Sequence, residues 1–110
     1  MNWITIESLH DIEAIIERSR QLPCLIFKHS TSCPISSLAK NRLEKQWDMD
    51  HGTLDAYYLD LLRHRNVSNY VAAEFGIDHE SPQILLIKDG KCIHHASHLD
   101  IRVDELRQTA

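Results

Sequence analysis

The residue best suited to covalent chemistry is Cys33, in the run Thr31-Ser32-Cys33-Pro34-Ile35-Ser36. A thiol reacts as its thiolate, and the unpaired N–H groups and dipole at a helix N-terminus favour that anion. Thr31 or Ser32 can cap a helix and Pro34 suits its first turn, so the pattern predicts a helix that opens at this cysteine and runs to about Asp48. Three positions on, where a dithiol redox pair would carry its second cysteine, stands Ser36. Its hydroxyl can donate a hydrogen bond to the thiolate but cannot close an internal disulfide. The expected chemistry is that of one thiol: Cys33 attacks a mixed disulfide, becomes joined to one half of it, and is released by another thiol. The competing reading, a small buried hydrophobe, loses ground because a strand-to-helix junction beside a proline is where reactive thiols are placed.

Two further cysteines raise the question of a resolving thiol. Cys24 opens the apolar run Cys24-Leu25-Ile26-Phe27 and reads as core, and Cys92 lies on an expected hairpin strand. Either could resolve a disulfide at Cys33 only with a Cα separation of about 4.4–6.8 Å, which sequence does not supply. The eight histidines suggest a metal, above all near Cys92, His94, His95 and His98. On a strand Cys92 and His94 share a face while His95 points away, and no Cys/His spacing of zinc type occurs, so no metal is expected. His29, four residues before Cys33, is read either as a neighbour supporting the thiolate or as a solvated loop histidine.

The elements around these residues follow from apolar spacing. Ser8 caps a first helix bearing Leu9, Ile12, Ile15 and Ile16, which ends before Pro23. The run from Cys24 reads as a strand buried on both faces and delivers the chain to Cys33. Leu38, Leu43 and Trp47 give the second helix its apolar face, and Asp50-His51-Gly52 breaks it. Ala56 to Leu61 reads as a strand, and Val67, Tyr70, Val71 and Phe75 as a third helix stopped by Gly76. Ser81-Pro82 precedes Gln83 to Ile87, and Asp89-Gly90 is a two-residue turn leading into Lys91-Cys92-Ile93-His94, hence a hairpin. Ile101, Val103 and Leu106 close the chain with a short helix. A strand ahead of the first helix completes the order β–α–β–α–β–α–β–β–α, a parallel unit followed by a hairpin and a closing helix.

Bulk properties narrow the function. A chain of 110 residues fits one domain, residues 1–110, and needs no disulfide staple. A net charge of −4 without a basic block gives no footprint for nucleic acid. No apolar run approaches the ~20 residues needed to cross a bilayer, and Met1-Asn2-Trp3-Ile4-Thr5 does not read as a secretory signal. With three cysteines at irregular spacing, the expectation is a cytoplasmic monomer in a reducing compartment, with no membrane or nucleic-acid partner.

The run Phe27-Lys28-His29-Ser30-Thr31-Ser32-Cys33-Pro34-Ile35-Ser36 belongs with Ala56-Tyr57-Tyr58-Leu59, Ser68-Asn69, His79-Glu80-Ser81-Pro82-Gln83 and Ser97-His98. Together they resemble the monothiol bacilliredoxin family, the bacillithiol-system YtxJ-like proteins, over nearly the whole chain. The resemblance implies a thioredoxin-like α/β fold, with a central mixed sheet flanked by helices, and a cytosolic reductase that removes bacillithiol from protein mixed disulfides. It makes Cys33 the nucleophile, with Pro34, Ile35 and Ser36 completing the motif. Pro82 becomes a cis-proline facing the cysteine, and Ser81, Thr31 and Ser32 flank the substrate. Bacillithiol is then a co-substrate and no bound cofactor is implied; bacillithiolated proteins and low-molecular-weight thiols are the partners. Cys24 and Cys92 match no motif cysteine of the family. Two other classes stand beside this reading: a redox relay or interaction module on the same fold, and an iron–sulfur carrier. The carrier is disfavoured because monothiol glutaredoxins of that kind have Gly-Phe-Ser after the cysteine, where this chain has Pro-Ile-Ser.

Overall fold

The computed structural model describes residues 1–49 and 52–110. Five strands form one sheet: β1 (Trp3–Thr5), β2 (Cys24–His29), β3 (Asp55–Asp60), β4 (Gln83–Lys88) and β5 (Lys91–Ser97). Their spatial order is β1-β3-β2-β4-β5. β3 runs parallel to both β1 and β2, whereas β4 runs antiparallel to β2 and β5 antiparallel to β4. The helices are α1 (Leu9–Arg18), α2 (Pro34–Gln46), α3 (Arg65–Phe75) and α4 (Val103–Thr109), with a single 3-10 turn at His98–Asp100. None of the described helices is long and apolar enough to cross a membrane.

Side chains alternate along a strand, so the central strands feed two cores. Cys24, Ile26, Leu59, Leu85 and Ile87 meet Ile12 and Ile15 of α1 and Val67 and Val71 of α3. Leu25, Phe27, Ile84 and Leu86 meet Ala39 and Leu43 of α2 and Val103 and Leu106 of α4. β2, flanked by β3 and β4 and covered on both faces, is buried at every position. Each buried Leu or Ile contributes about 1.5–3 kcal/mol against the ordering entropy of the chain.

Local signals fix the boundaries. Ser8 and Asp11 form a reciprocal capping box at the start of α1, which satisfies two N–H groups that a helix start leaves orphaned. Gly76 ends α3 in the left-handed region at φ 67°, where a Cβ would be strained. Asp89 and Gly90 both have positive φ, 52° and 76°, as a two-residue hairpin turn requires.

The structure departs from the sequence reading in three places. Thr31 and Ser32 do not cap α2: Cys33 itself is the N-cap, with no side-chain cap bond. The inward face of α2 is Ser36, Ala39 and Leu43, and Leu38 stands 50% exposed. β2 continues two residues past Phe27, through Lys28 and His29. The expected break at Asp50-His51-Gly52 falls, for Asp50 and His51, outside the described residues.

Direction decides what meets at each end of the sheet. The C-terminal ends of β2 and β3 lie beside the N-terminal end of β4, where Lys28 pairs with Leu59 and Gln83. Gln83 pairs in turn with Ser97. His29, Asp60, Pro82 and the start of α2 therefore share one end, and Cys24, Ile87 and Cys92 share the other.

Candidate active site

Cys33 follows a tight turn in which its N–H donates to the Ser30 carbonyl at 3.1 Å. It enters α2 in extended conformation, φ −105° and ψ 116°, with Pro34 in the first turn. Proline costs the helix nothing there, since its missing N–H would have had no partner. Cys33 is partly exposed and in no disulfide, at the end of a helix where backbone N–H groups point outward. Thr31 and Ser32 flank it on the surface, and Ser32 Oγ lies 3.3 Å from Ser30 Oγ.

Ser36 is fully buried and its hydroxyl is engaged away from the sulfur. Oγ accepts the Ser30 N–H at 3.1 Å and lies 2.6 Å from His29 Nδ1. The expected Ser36 hydrogen bond to the thiol is absent among the described residues in this resting arrangement. The loop reading of His29 is likewise corrected, because it is the last residue of β2 and only 5% exposed. Burial lowers its pKa below the ordinary 6.5, Lys40 adds to the fall, and Asp60 and Glu44 oppose it. Around it pack Phe27 and Tyr58, ring centroids 5.8 and 5.5 Å away. Beyond Tyr58, Lys40 reaches Glu44 at 2.8 Å, and Glu44 accepts the Trp3 indole N–H at 2.6 Å.

The Ser81-Pro82 peptide is cis. Pro82 is buried, and its carbonyl accepts the His98 N–H at 2.9 Å, joining this segment to the end of the hairpin. Behind it lies a group that the sequence reading missed. Lys28, with no exposed surface, donates to the Ser68 carbonyl at 3.1 Å and reaches His79 Nδ1 at 3.3 Å. Burial pushes its pKa down from 10.5 to about 8. Gln83 Nε2 donates to the Asp78 carbonyl at 3.0 Å in the same segment. The available signal was a lysine directly continuing a doubly buried strand.

Cys24 and Cys92 lie far from Cys33. Five residue steps of β2 separate Cys24 from His29, about 16 Å at the usual strand rise, and Cys33 lies beyond. Cys92 opposes Ile87, which opposes Cys24, so it occupies the same distant end. Neither is placed to resolve a disulfide at Cys33, correcting that possibility. Burial raises both thiols, Cys24 to about 11, and a protonated thiol is a poor nucleophile. The histidines of β5 and the following turn disperse: His94 faces Glu105 at 3.5 Å and His98 faces Glu80 at 3.6 Å. Among the described residues no group of three or more His, Cys, Asp or Glu could hold a metal ion.

A mixed five-stranded sheet flanked by four helices, with a cysteine opening the helix after β2, defines a thioredoxin-fold protein. The solved structures agree. A protein described provisionally as an oxidoreductase with a thioredoxin fold superposes with TM-score 0.82 at 32% identity, covering 96% of this chain and 91% of that one. Thioredoxin from Trypanosoma brucei brucei gives TM-score 0.72 at 14% identity over 98% of this chain and 87% of its own. Thioredoxin from Fasciola hepatica gives 0.68 at 18%, over 96% and 93%; at such identities the likeness is one of fold. The model of the monothiol bacilliredoxin BrxC family matches residues 4–106, and the chain belongs to that family. Family and fold together make it a thiol oxidoreductase.

Proposed function

We propose that the protein removes bacillithiol from protein mixed disulfides by monothiol exchange at Cys33. The observation that carries this reading is a partly exposed free cysteine at the N-cap of α2 with Ser36, not cysteine, one turn on. The family match supports bacillithiol as the small thiol. The Cys33 thiolate attacks the bacillithiol sulfur of the substrate disulfide. A new Cys33–bacillithiol bond forms, the old sulfur–sulfur bond breaks, and its electron pair leaves with the substrate cysteine as a thiolate that takes a proton from water. A second thiol then attacks the adduct and restores Cys33. Thr31 and Ser32, exposed beside Cys33, and the cis Ser81-Pro82 segment at the same end of the sheet are the surface assigned to the substrate, where an extended chain would lie.

The test is to incubate the reduced protein with a bacillithiolated protein and, separately, with the glutathionylated form. Release is followed by intact mass, and the adduct is located by peptide mass. Transfer of bacillithiol to Cys33, faster than transfer of glutathione, is the expected result. An inert Cys33 would sink the reading and favour an interaction module, while equal rates would remove the bacillithiol specificity.

A further inference from the structure

Ser36 Oγ has one proton to give and two lone pairs with which to accept. The Ser30 N–H occupies one lone pair, and the 2.6 Å contact to His29 Nδ1 can run either way. In the neutral tautomer that carries its hydrogen on Nε2, the starting form of the step below, Nδ1 is bare, the Ser36 proton goes to it and none remains for Cys33. If Nδ1 is protonated, His29 donates, both lone pairs of Ser36 are filled, and the hydroxyl proton must find another acceptor. Cys33 is the N-cap and Ser36 the third residue of α2, positions whose groups meet at a helix start.

We propose that His29 is a positioning residue for thiol exchange: protonation of Nδ1 turns the Ser36 hydroxyl from His29 towards the Cys33 sulfur, so the proton lost by Cys33 is kept on His29 while the thiolate exists. This rests on Cys33 being the nucleophile. The step balances without oxidant or reductant. The thiol loses one proton, the imidazole gains one, Ser36 carries one throughout, and a neutral pair becomes thiolate and imidazolium. When the thiolate spends its electron pair on the new disulfide, the imidazolium loses its partner and returns its proton to solvent.

The surroundings favour coupling over independent titration. Lys40 of α2 and burial oppose an isolated imidazolium, Asp60 of β3 and Glu44 of α2 favour it, and the neighbouring rings of Phe27 and Tyr58 carry no charge to compensate. A thiolate at the start of α2 supplies what is missing. Charge-assisted hydrogen bonds are the stronger kind, so forming the anion and the imidazolium together is easier than forming either alone.

The experiment is nitrogen-detected NMR titration of the histidines in the full chain, reduced and then with Cys33 blocked by iodoacetamide, alongside alkylation rates against pH. His29 is expected to titrate higher in the reduced protein than in the blocked one, and the difference to vanish in Ser36→Ala. His29→Asn keeps a hydrogen-bonding atom near the Nδ1 position but cannot titrate, and His29→Phe removes it. Both should alkylate about tenfold more slowly at about pH 6, the worth of one hydrogen bond to a charged group, and within about twofold of the parent at about pH 9.5, where solvent accepts the proton unaided. A His29 titration indifferent to blocking Cys33 overturns the proposal, as do parallel alkylation profiles. The blocking comparison needs no variant, so a misfolded substitution leaves it decisive. None of these readouts uses bacillithiol, so failure of the bacillithiol reading would appear separately.

Discussion

Lys28→Met is expected to stabilise the protein near neutral pH and to flatten its pH dependence in mild alkali. Lys28 has no exposed surface, and burial lowers its pKa from 10.5 to about 8. At 1.36 kcal/mol per unit, that difference is a penalty of about 3 kcal/mol on the charged form in the fold. The sign follows from proton counts. Above pH 8 the folded lysine sheds a proton that the unfolded chain keeps until 10.5, so stability rises with pH across this window and the penalty is full below it. Cys24 works in the opposite sense, because its thiol is raised from 9.0 to about 11; stability is lost as pH climbs from 9 through 11, and Cys92 shares that sign. Between pH 7 and 9 the lysine dominates, contributing about 1 kcal/mol of rising stability. Methionine removes the penalty together with the two lysine hydrogen bonds, to the Ser68 carbonyl and His79 Nδ1; the Ser68 hydroxyl, 3.3 Å from that nitrogen, can still donate to it, so a loss of about 1 kcal/mol for each lysine bond leaves a net gain of about 1 kcal/mol at pH 7. Urea unfolding of both proteins at pH 7, 8 and 9 measures this, and the cysteine contributions cancel in the comparison. Curves for parent and variant that run parallel from pH 7 to 9 would refute the reasoning.

Cys33→Ser is expected to abolish exchange while leaving urea stability within about 0.5 kcal/mol, as for other surface-facing changes. Ser36→Ala should slow Cys33 alkylation without stopping it, and destabilise by about 1–3 kcal/mol because the Ser30 N–H and His29 lose a buried partner; loss of exchange as complete as in Cys33→Ser would show that Ser36 does more than position a proton. The Cys33 adduct, freed of excess reagent, should persist for hours by intact mass without added thiol. Its conversion to an internal disulfide, abolished by Cys24→Ala or Cys92→Ala, would contradict the separation imposed by the sheet.

The strands and helices that carry apolar periodicity were legible because one interaction, burial against the sheet, selects them. Ile12 and Ile15 of α1 and Val67 and Val71 of α3 sit in the core where their spacing put them. Leu38 misled because hydrophobicity marks a residue able to be buried and does not oblige it: the helix turns Ser36 inward, and a serine on the buried face is intelligible only once His29 is known to meet it. Charged and titratable types read as exposed, so the apolar run points to a strand that stops at Phe27, short of Lys28 and His29. Their partners lie 40 and 51 residues away for Lys28, and no local pattern records such pairings. The 3-10 turn at His98 has φ 55° without glycine, a conformation that composition gives no reason to expect.

Lys28, which the sequence reading passed over, and His29, which it left between a neighbour of the thiolate and a loop histidine, explain how one strand end serves both parts of the site. Successive residues of β2 point to opposite faces, so His29 turns towards α2 and fixes Ser36 in the first turn after Cys33, while Lys28 turns towards α3 and reaches Ser68 and His79. His79 lies three residues before Pro82, in the segment whose far side is bound through the Pro82 carbonyl to the His98 N–H. The helix that opens at Cys33 and the proline segment are thus referred to the same strand, although they come from distant parts of the chain. Loosening either contact should shift one half of the site relative to the other: a change at His29 is expected to act through the Cys33 thiol, and one at Lys28 through the segment before Pro82.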